Sequence, residues 1–263
     1  MAYINVKYYS DCLKRQNSFD MYLPNDLRKD APWEKVDENY QKRPMKTLFV
    51  LHGYSGNADN FVPEYLCKNY NFAVIAPNGE NGFWLDGIST GHKFCTMLGE
   101  EITGYVRKTF GLAQGADDTY ILGYSMGGFG ALHTGLAYPE SFGKIGAMSS
   151  ALIVHEVSQM KPGQGNEIAN YEYYRECFGE PSELLASDNN IETLAKRLKD
   201  DNKKIPEIYM SCGTDDFLLA YNRDMHRFLS DNDIAHEYVE SKGNHDMTFW
   251  KEYSEKIVKW MYE

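Results

Sequence analysis

The chain has 263 residues and a formal net charge of −11, with 43% hydrophobic and 25% charged residues. That length suits one α/β domain with a large core better than two small ones, and the acidic balance argues against nucleic acid or an anionic membrane as the main partner. Five cysteines (Cys12, Cys67, Cys95, Cys177 and Cys212) are scattered without a C-x-x-C pair, a pattern of neither zinc site nor disulfide framework that suits a reducing compartment.

The stretch Met1–Lys7 has no uninterrupted apolar core of the signal-peptide kind, and no apolar run approaches the length of a membrane span. The expectation is a cytoplasmic protein. Residues 3–9 and 18–23 read as an antiparallel strand pair at a sheet edge. Residues 24–45, charged and holding Pro24, Pro32 and Pro44, read as a surface loop or insertion. From Met45 to Leu51 the chain reads as a buried strand running into His52-Gly53-Tyr54-Ser55-Gly56-Asn57, a glycine-rich turn of the kind that presents backbone N–H groups to a ligand. A helix is expected near residues 58–69, then a strand over 72–77 and a loop rich in glycine and aromatics. In that loop Trp84 reads either as a pocket wall or as core, and Asp86 either as a substrate contact or as a turn residue.

Phe94, Met97, Leu98, Ile102, Tyr105 and Val106 keep a helical period. The apolar run Thr119–Leu122 leads into Gly123-Tyr124-Ser125-Met126-Gly127, and a helical segment follows over 129–137. Another strand is expected over Lys144–Ser149. Residues 155–204 then break the rhythm, with a Gly/Pro loop, the aromatic cluster Tyr171, Tyr173, Tyr174 and Phe178, and a short helix; a small cap is expected there. A strand over 207–212, a helix carrying Leu218, Tyr221, Met225 and Phe228, and a strand over 235–239 follow. The last helix carries Phe249, Tyr253, Ile257 and Trp260 on one face. Strands alternating with helices imply a mostly parallel sheet covered on both faces, here as one domain over 1–263.

Strand, G-x-S-x-G, helix is the context of a nucleophile elbow. A serine held in so sharp a turn leaves no room for a Cβ two residues before or after it, so Gly123 and Gly127 sit where only hydrogen fits. Its hydroxyl then lies beside a helix N-terminus, where backbone N–H groups favour developing negative charge. A serine nucleophile needs a base, and the base needs a third group to fix its tautomer. His226 reads as mid-helix and His236 as within a strand, so both are expected to be structural. His245 lies in the loop between the last strand and the last helix. For the acid, either Asp215 or Asp216 could serve, with the other capping the following helix. His52 reads as a structural partner of its turn and His133 as a packed residue of the elbow helix.

Leu51-His52-Gly53, Gly123-Tyr124-Ser125-Met126-Gly127-Gly128, Cys212-Gly213-Thr214-Asp215-Asp216-Phe217-Leu218 and Asn244-His245, in this order, resemble the esterase D-like family, nearest its tributyrin/acetyl and cinnamoyl (feruloyl) esterases. The resemblance runs from about residue 3 to 261 and implies the α/β-hydrolase fold. It implies Ser125 as nucleophile, Asp216 as acid, His245 as base, and the N–H groups of Tyr54 and Met126 as the oxyanion hole. No metal or organic cofactor is implied. The partner is a small-molecule ester, acetyl to butyryl, with acetylated or feruloylated plant-wall oligosaccharides as candidates. An S-formylglutathione hydrolase-like thioesterase and an acyltransferase using the same triad are the alternatives, and homo-oligomerisation stays open.

Overall fold

The computed structural model describes residues 1–24 and 44–262; the insertion expected over 24–45 falls almost wholly outside the described residues. The strands, in chain order, are β1 (Ala2–Ser10), β2 (Arg15–Leu23), β3 (Lys46–Leu51), β4 (Phe72–Pro77), β5 (Thr119–Tyr124), β6 (Lys144–Met148), β7 (Glu207–Gly213) and β8 (Glu237–Ser241). They form one sheet in the order β1-β2-β4-β3-β5-β6-β7-β8. β2 pairs antiparallel with both β1 and β4, and every pairing from β4 to β8 is parallel. The antiparallel pair expected at the sheet edge is therefore present, and its outer member is β1.

The central strands are continuous apolar runs because both faces are covered. Their two-residue period still sorts them cleanly. Phe49, Ile75, Ile121 and Ile208 enter one core, whereas Leu48, Val74, Leu122 and Tyr209 enter the other. The elbow helix Met126–Ala137 and the helices Thr103–Phe110, Ile191–Asp200 and Leu219–Asp231 lie over the first face. Glu64–Tyr70 and Met247–Tyr262 cover the second. Each fully buried Leu, Ile or Phe contributes roughly 1.5–3 kcal/mol relative to exposure, and this is the main force holding the helices to the sheet.

Three elements differ from the sequence expectation for local reasons. The helix expected near 58–69 starts only at Glu64: Asn60 Oδ1 accepts the Val62 N–H at 2.9 Å and turns the chain, and Pro63 at the helix entrance has ψ 130°. In the last helix the apolar face continues from Ile257 to buried Met261, while Trp260 turns aside to pack on Tyr209. Between β6 and β7, the segment expected as a cap divides its labour. Ile191–Asp200 packs against the elbow helix as an ordinary crossover helix, whereas residues 156–174 reach the mouth of the cavity described below. Among the described residues no helix is long and apolar enough to cross a membrane.

Candidate active site

β5 runs straight into Ser125, which adopts φ 55° and ψ −121°. Such a backbone costs a non-glycine residue on the order of 1–3 kcal/mol and persists only where surroundings enforce it. Here the Ser125 N–H donates to Met148 O at 2.9 Å, while its carbonyl accepts the N–H groups of Phe129 and Ala151 at 3.1 and 3.0 Å. The flanking glycines have no room for anything larger. A Cβ on Gly123 would lie 2.0 Å from Gly127 O, and one on Gly127 would lie 2.1 Å from Leu51 O. Since those obstacles are backbone, Gly127→Ala is expected to destabilise the protein by about 3 kcal/mol or more, read as a fall in the urea midpoint. An unchanged midpoint would refute the close approach.

The Ser125 hydroxyl lies 2.9 Å from His245 Nε2, and His245 Nδ1 lies 2.9 and 3.1 Å from the two oxygens of Asp216. Local structure fixes each member. Asp246 caps the last helix, accepting the N–H groups of Thr248 and Phe249, so the preceding His245 is pinned at the helix entrance. The imidazole packs on the rings of Trp250 and Phe217, at 4.8 and 4.5 Å between centroids. Asp216 is buried and also accepts the Leu218 N–H at 2.8 Å. Burial pushes its carboxyl pKa up, but the hydrogen bonds from His245 and Leu218, with Ser149 close by, outweigh this and hold it below the ordinary value. Ser149 Oγ makes no bond of normal hydrogen-bond geometry, so its contribution is the smaller one. Asp215 is exposed, its N–H spent on Gly243 O. One aspartate thus both turns the chain into its helix and meets the histidine, and its neighbour does neither.

The amides of Tyr54 and Met126, expected to act together, donate no hydrogen bond to other groups among the described residues. Both residues line the same cavity as Ser125. The turn that carries Tyr54 is braced from behind. The Gly79 N–H donates to His52 Nε2 at 3.0 Å, so Nδ1 carries the proton and donates to Gly53 O at 2.8 Å. Burial lowers the His52 pKa and keeps the ring neutral. Asn81 completes the brace: its side chain accepts the Ser55 N–H at 2.8 Å and its carbonyl accepts the Tyr173 hydroxyl at 2.5 Å.

Trp84 and Asp86 do not line this cavity. Trp84 is fully buried, with its ring wedged over Gly79 and Gly130 and its indole N–H donated to His52 O at 3.3 Å. Asp86 accepts the backbone N–H and the hydroxyl of Thr96 at 3.0 and 2.5 Å and so holds the start of the helix there. The pocket reading of both residues is therefore corrected: an indole with no free face and a carboxylate spent on a helix start support the site from behind. His133 is packed as expected, donating to Asp188 O at 2.9 Å, and burial pushes its pKa down to about 4.

The cavity measures about 490 Å³. Much of its wall comes from residues that sequence reading did not single out, among them Phe83, Ile153, Glu156 and Asn166. Phe217 and Tyr221 carried a signal, the first in the Asp215-Asp216-Phe217-Leu218 motif and the second on the apolar face of the helix that follows. Among the described residues no cluster of histidine, cysteine and carboxylate side chains could hold a metal ion.

Residues 10–257 match the esterase family model, described as "Putative esterase". This chain belongs to that family. The esterase is 39% identical over 269 residues to an acetyl esterase of Caldicellulosiruptor saccharolyticus, covering 99% of this chain and 98% of the relative. Its fold is similar to that of the fluorophosphonate-binding serine hydrolase FphF of Staphylococcus aureus, with a TM-score of 0.82, 24% identity, and coverage of 100% of this chain and 98% of the other. The S-formylglutathione hydrolase FrmB of Staphylococcus aureus gives 0.80 and 24%, with coverage of 100% and 99%. The esterase has the α/β-hydrolase fold and is a carboxylic ester hydrolase.

Proposed function

We propose that this esterase is a serine carboxylesterase acting on short acyl esters, with Ser125 as nucleophile, His245 as general base and Asp216 as the acid that orients it. The observation that carries this reading is the unbroken relay from Ser125 Oγ through both nitrogens of His245 to Asp216, at 2.9 Å on each side. His245 takes the hydroxyl proton as Ser125 attacks the ester carbonyl. Asp216 stabilises the imidazolium, which then protonates the leaving alcohol. The Tyr54 and Met126 amides receive the oxyanion, each such donor being typically worth about 3 kcal/mol of barrier. Water hydrolyses the acyl-enzyme by the same route. All five cysteines are free, four of them buried, which supports a reducing, cytoplasmic setting.

Short acyl groups follow from how the cavity ends. Phe83 and Tyr174 line it, and behind them their rings pack on Phe178, and Phe83 also on Phe129, so that this wall is backed by aromatic rings. The acetyl esterase relative supports the same size class. Across p-nitrophenyl esters, kcat/KM is expected to be highest from acetyl to butyryl and to fall about tenfold or more by octanoyl, since each misplaced methylene costs on the order of 1 kcal/mol. A rise through decanoyl would sink this reading. The same relay would cleave a thioester or pass the acyl group to an alcohol. S-formylglutathione and an added sugar acceptor belong in the panel for that reason.

A further inference from the structure

The cavity shared with Ser125 is larger than an acetyl group needs and has the size of sites that take drug-sized ligands. What fills the remainder is set by the groups on the wall, and these form a connected polar chain. Tyr221 donates its hydroxyl to Glu156 Oε2 at 2.8 Å, and Asn166 donates its amide nitrogen to Glu156 Oε1 at 3.0 Å. The Asn166 orientation is not arbitrary. Its Oδ1 receives the N–H groups of Ile168 and Ala169 and the Tyr174 hydroxyl, all donors, so the NH₂ end must point to Glu156.

A carboxylate oxygen can accept two hydrogen bonds, and each oxygen of Glu156 has one from the wall. The carboxylate is thus fixed in place with acceptor capacity to spare and no donor of its own. No lysine or arginine lines the cavity among the described residues, and a second carboxylate, Glu167, does. The site therefore suits ligand groups that donate and repels groups that carry negative charge. At the rim, Phe217 is 71% exposed and Tyr54 36%, offering flat faces on which a sugar ring can lie.

We infer that Glu156, held by Tyr221 and Asn166, is a specificity-determining residue that accepts a hydroxyl of a neutral polyol carried on the substrate beyond its short acyl group, and that it disfavours anionic esters and thioesters. The inference rests on the short-acyl esterase reading above.

The test compares wild type, Glu156→Gln and Tyr221→Phe on p-nitrophenyl acetate, a partly acetylated xylobiose with free hydroxyls, S-acetylglutathione and acetylcholine, with kcat and KM resolved for each. For Glu156→Gln, KM for the acetylated xylobiose is expected to rise about tenfold or more relative to KM for p-nitrophenyl acetate, as for a lost hydrogen bond to a charged group. KM for S-acetylglutathione should move the opposite way, falling about threefold as like-charge repulsion is removed. Tyr221→Phe frees the carboxylate to move and should shift the sugar ester in the same direction by less. Equal losses on p-nitrophenyl acetate and the sugar ester, or a loss confined to kcat, would overturn the inference, since a residue that merely holds the wall together treats all esters alike. A larger loss on acetylcholine than on the sugar ester would overturn the assignment to a neutral polyol. Failure of the wild type to hydrolyse p-nitrophenyl acetate would overturn the esterase reading and this one with it; normal hydrolysis with unchanged ratios would overturn only this one.

Discussion

Ser125→Ala is expected to abolish ester hydrolysis, by about a millionfold in kcat, with thermal stability unchanged. The size of the loss follows from how such residues act. Nucleophile and base form one unit, and removing either forfeits nearly the whole covalent route, leaving only what the oxyanion donors and binding supply. The unchanged stability follows from the local structure. What holds residue 125 at φ 55° is its backbone, bonded to Met148, Phe129 and Ala151, and alanine keeps all of those bonds. A fluorophosphonate probe should label the wild-type protein at Ser125 alone and the variant nowhere. Activity of the variant near wild type, or a label on another residue, would refute the assignment.

Asp216→Asn is expected to lower kcat by about 10⁴ and Asp215→Asn by no more than a few fold. An asparagine at 216 can present its NH₂ to His245 Nδ1, which fixes the imidazole proton on Nε2 and turns the nitrogen facing Ser125 from acceptor into donor. Asp215 is exposed and meets neither ring nitrogen. The reverse ranking would show that the relay runs through the other residue. The pH dependence carries the same information. Because Asp216 has its pKa held below the ordinary value of 3.8, it stays ionised at every pH above that value, and its orienting charge is lost only in stronger acid. For stability the sign is that of any depressed carboxylate. The contribution of Asp216 is present above the unfolded value and lost only as pH falls through the lower folded one, so Asp216→Asn should remove a stability increment that wild type keeps down to that range, read from urea midpoints across acid pH.

The parts of this architecture legible in the sequence are those governed by short-range rules. Apolar runs such as Leu48–Leu51 and Phe72–Ala76 can only be strands covered on both faces, and two glycines bracketing Ser125 can only mean a turn without space. His245 stood out against His226 and His236 because a loop after a strand is where a ring can reach across the sheet edge. The two others are engaged with each other, His226 Nδ1 lying 2.7 Å from His236 Nε2, although His236 precedes β8 and does not lie within it as expected. What stayed illegible depends on contacts between distant segments. Trp84 sits in an aromatic, glycine-rich loop that resembles a pocket wall. Its position is decided by Gly79 and Gly130, whose missing side chains admit the indole into the core. Glu156, Asn166 and Tyr221 meet only because the crossover after β6 folds back toward the helix after β7, and nothing in their local patterning announces it.

Ser125, Asp216 and His245 each stand just beyond the end of a parallel strand (β5, β7 and β8), whereas much of the cavity wall comes from one contiguous stretch after β6. On the proposed reading, reactivity and discrimination are thus encoded in physically separate lengths of chain. A lineage built this way can exchange residues 153–174 wholesale, lengthen them or recolour their polarity, and try new esters without reopening the strained turn that was hard to reach in the first place. Evolvability of this kind is a property of topology, and laboratory diversification confined to that stretch would inherit it.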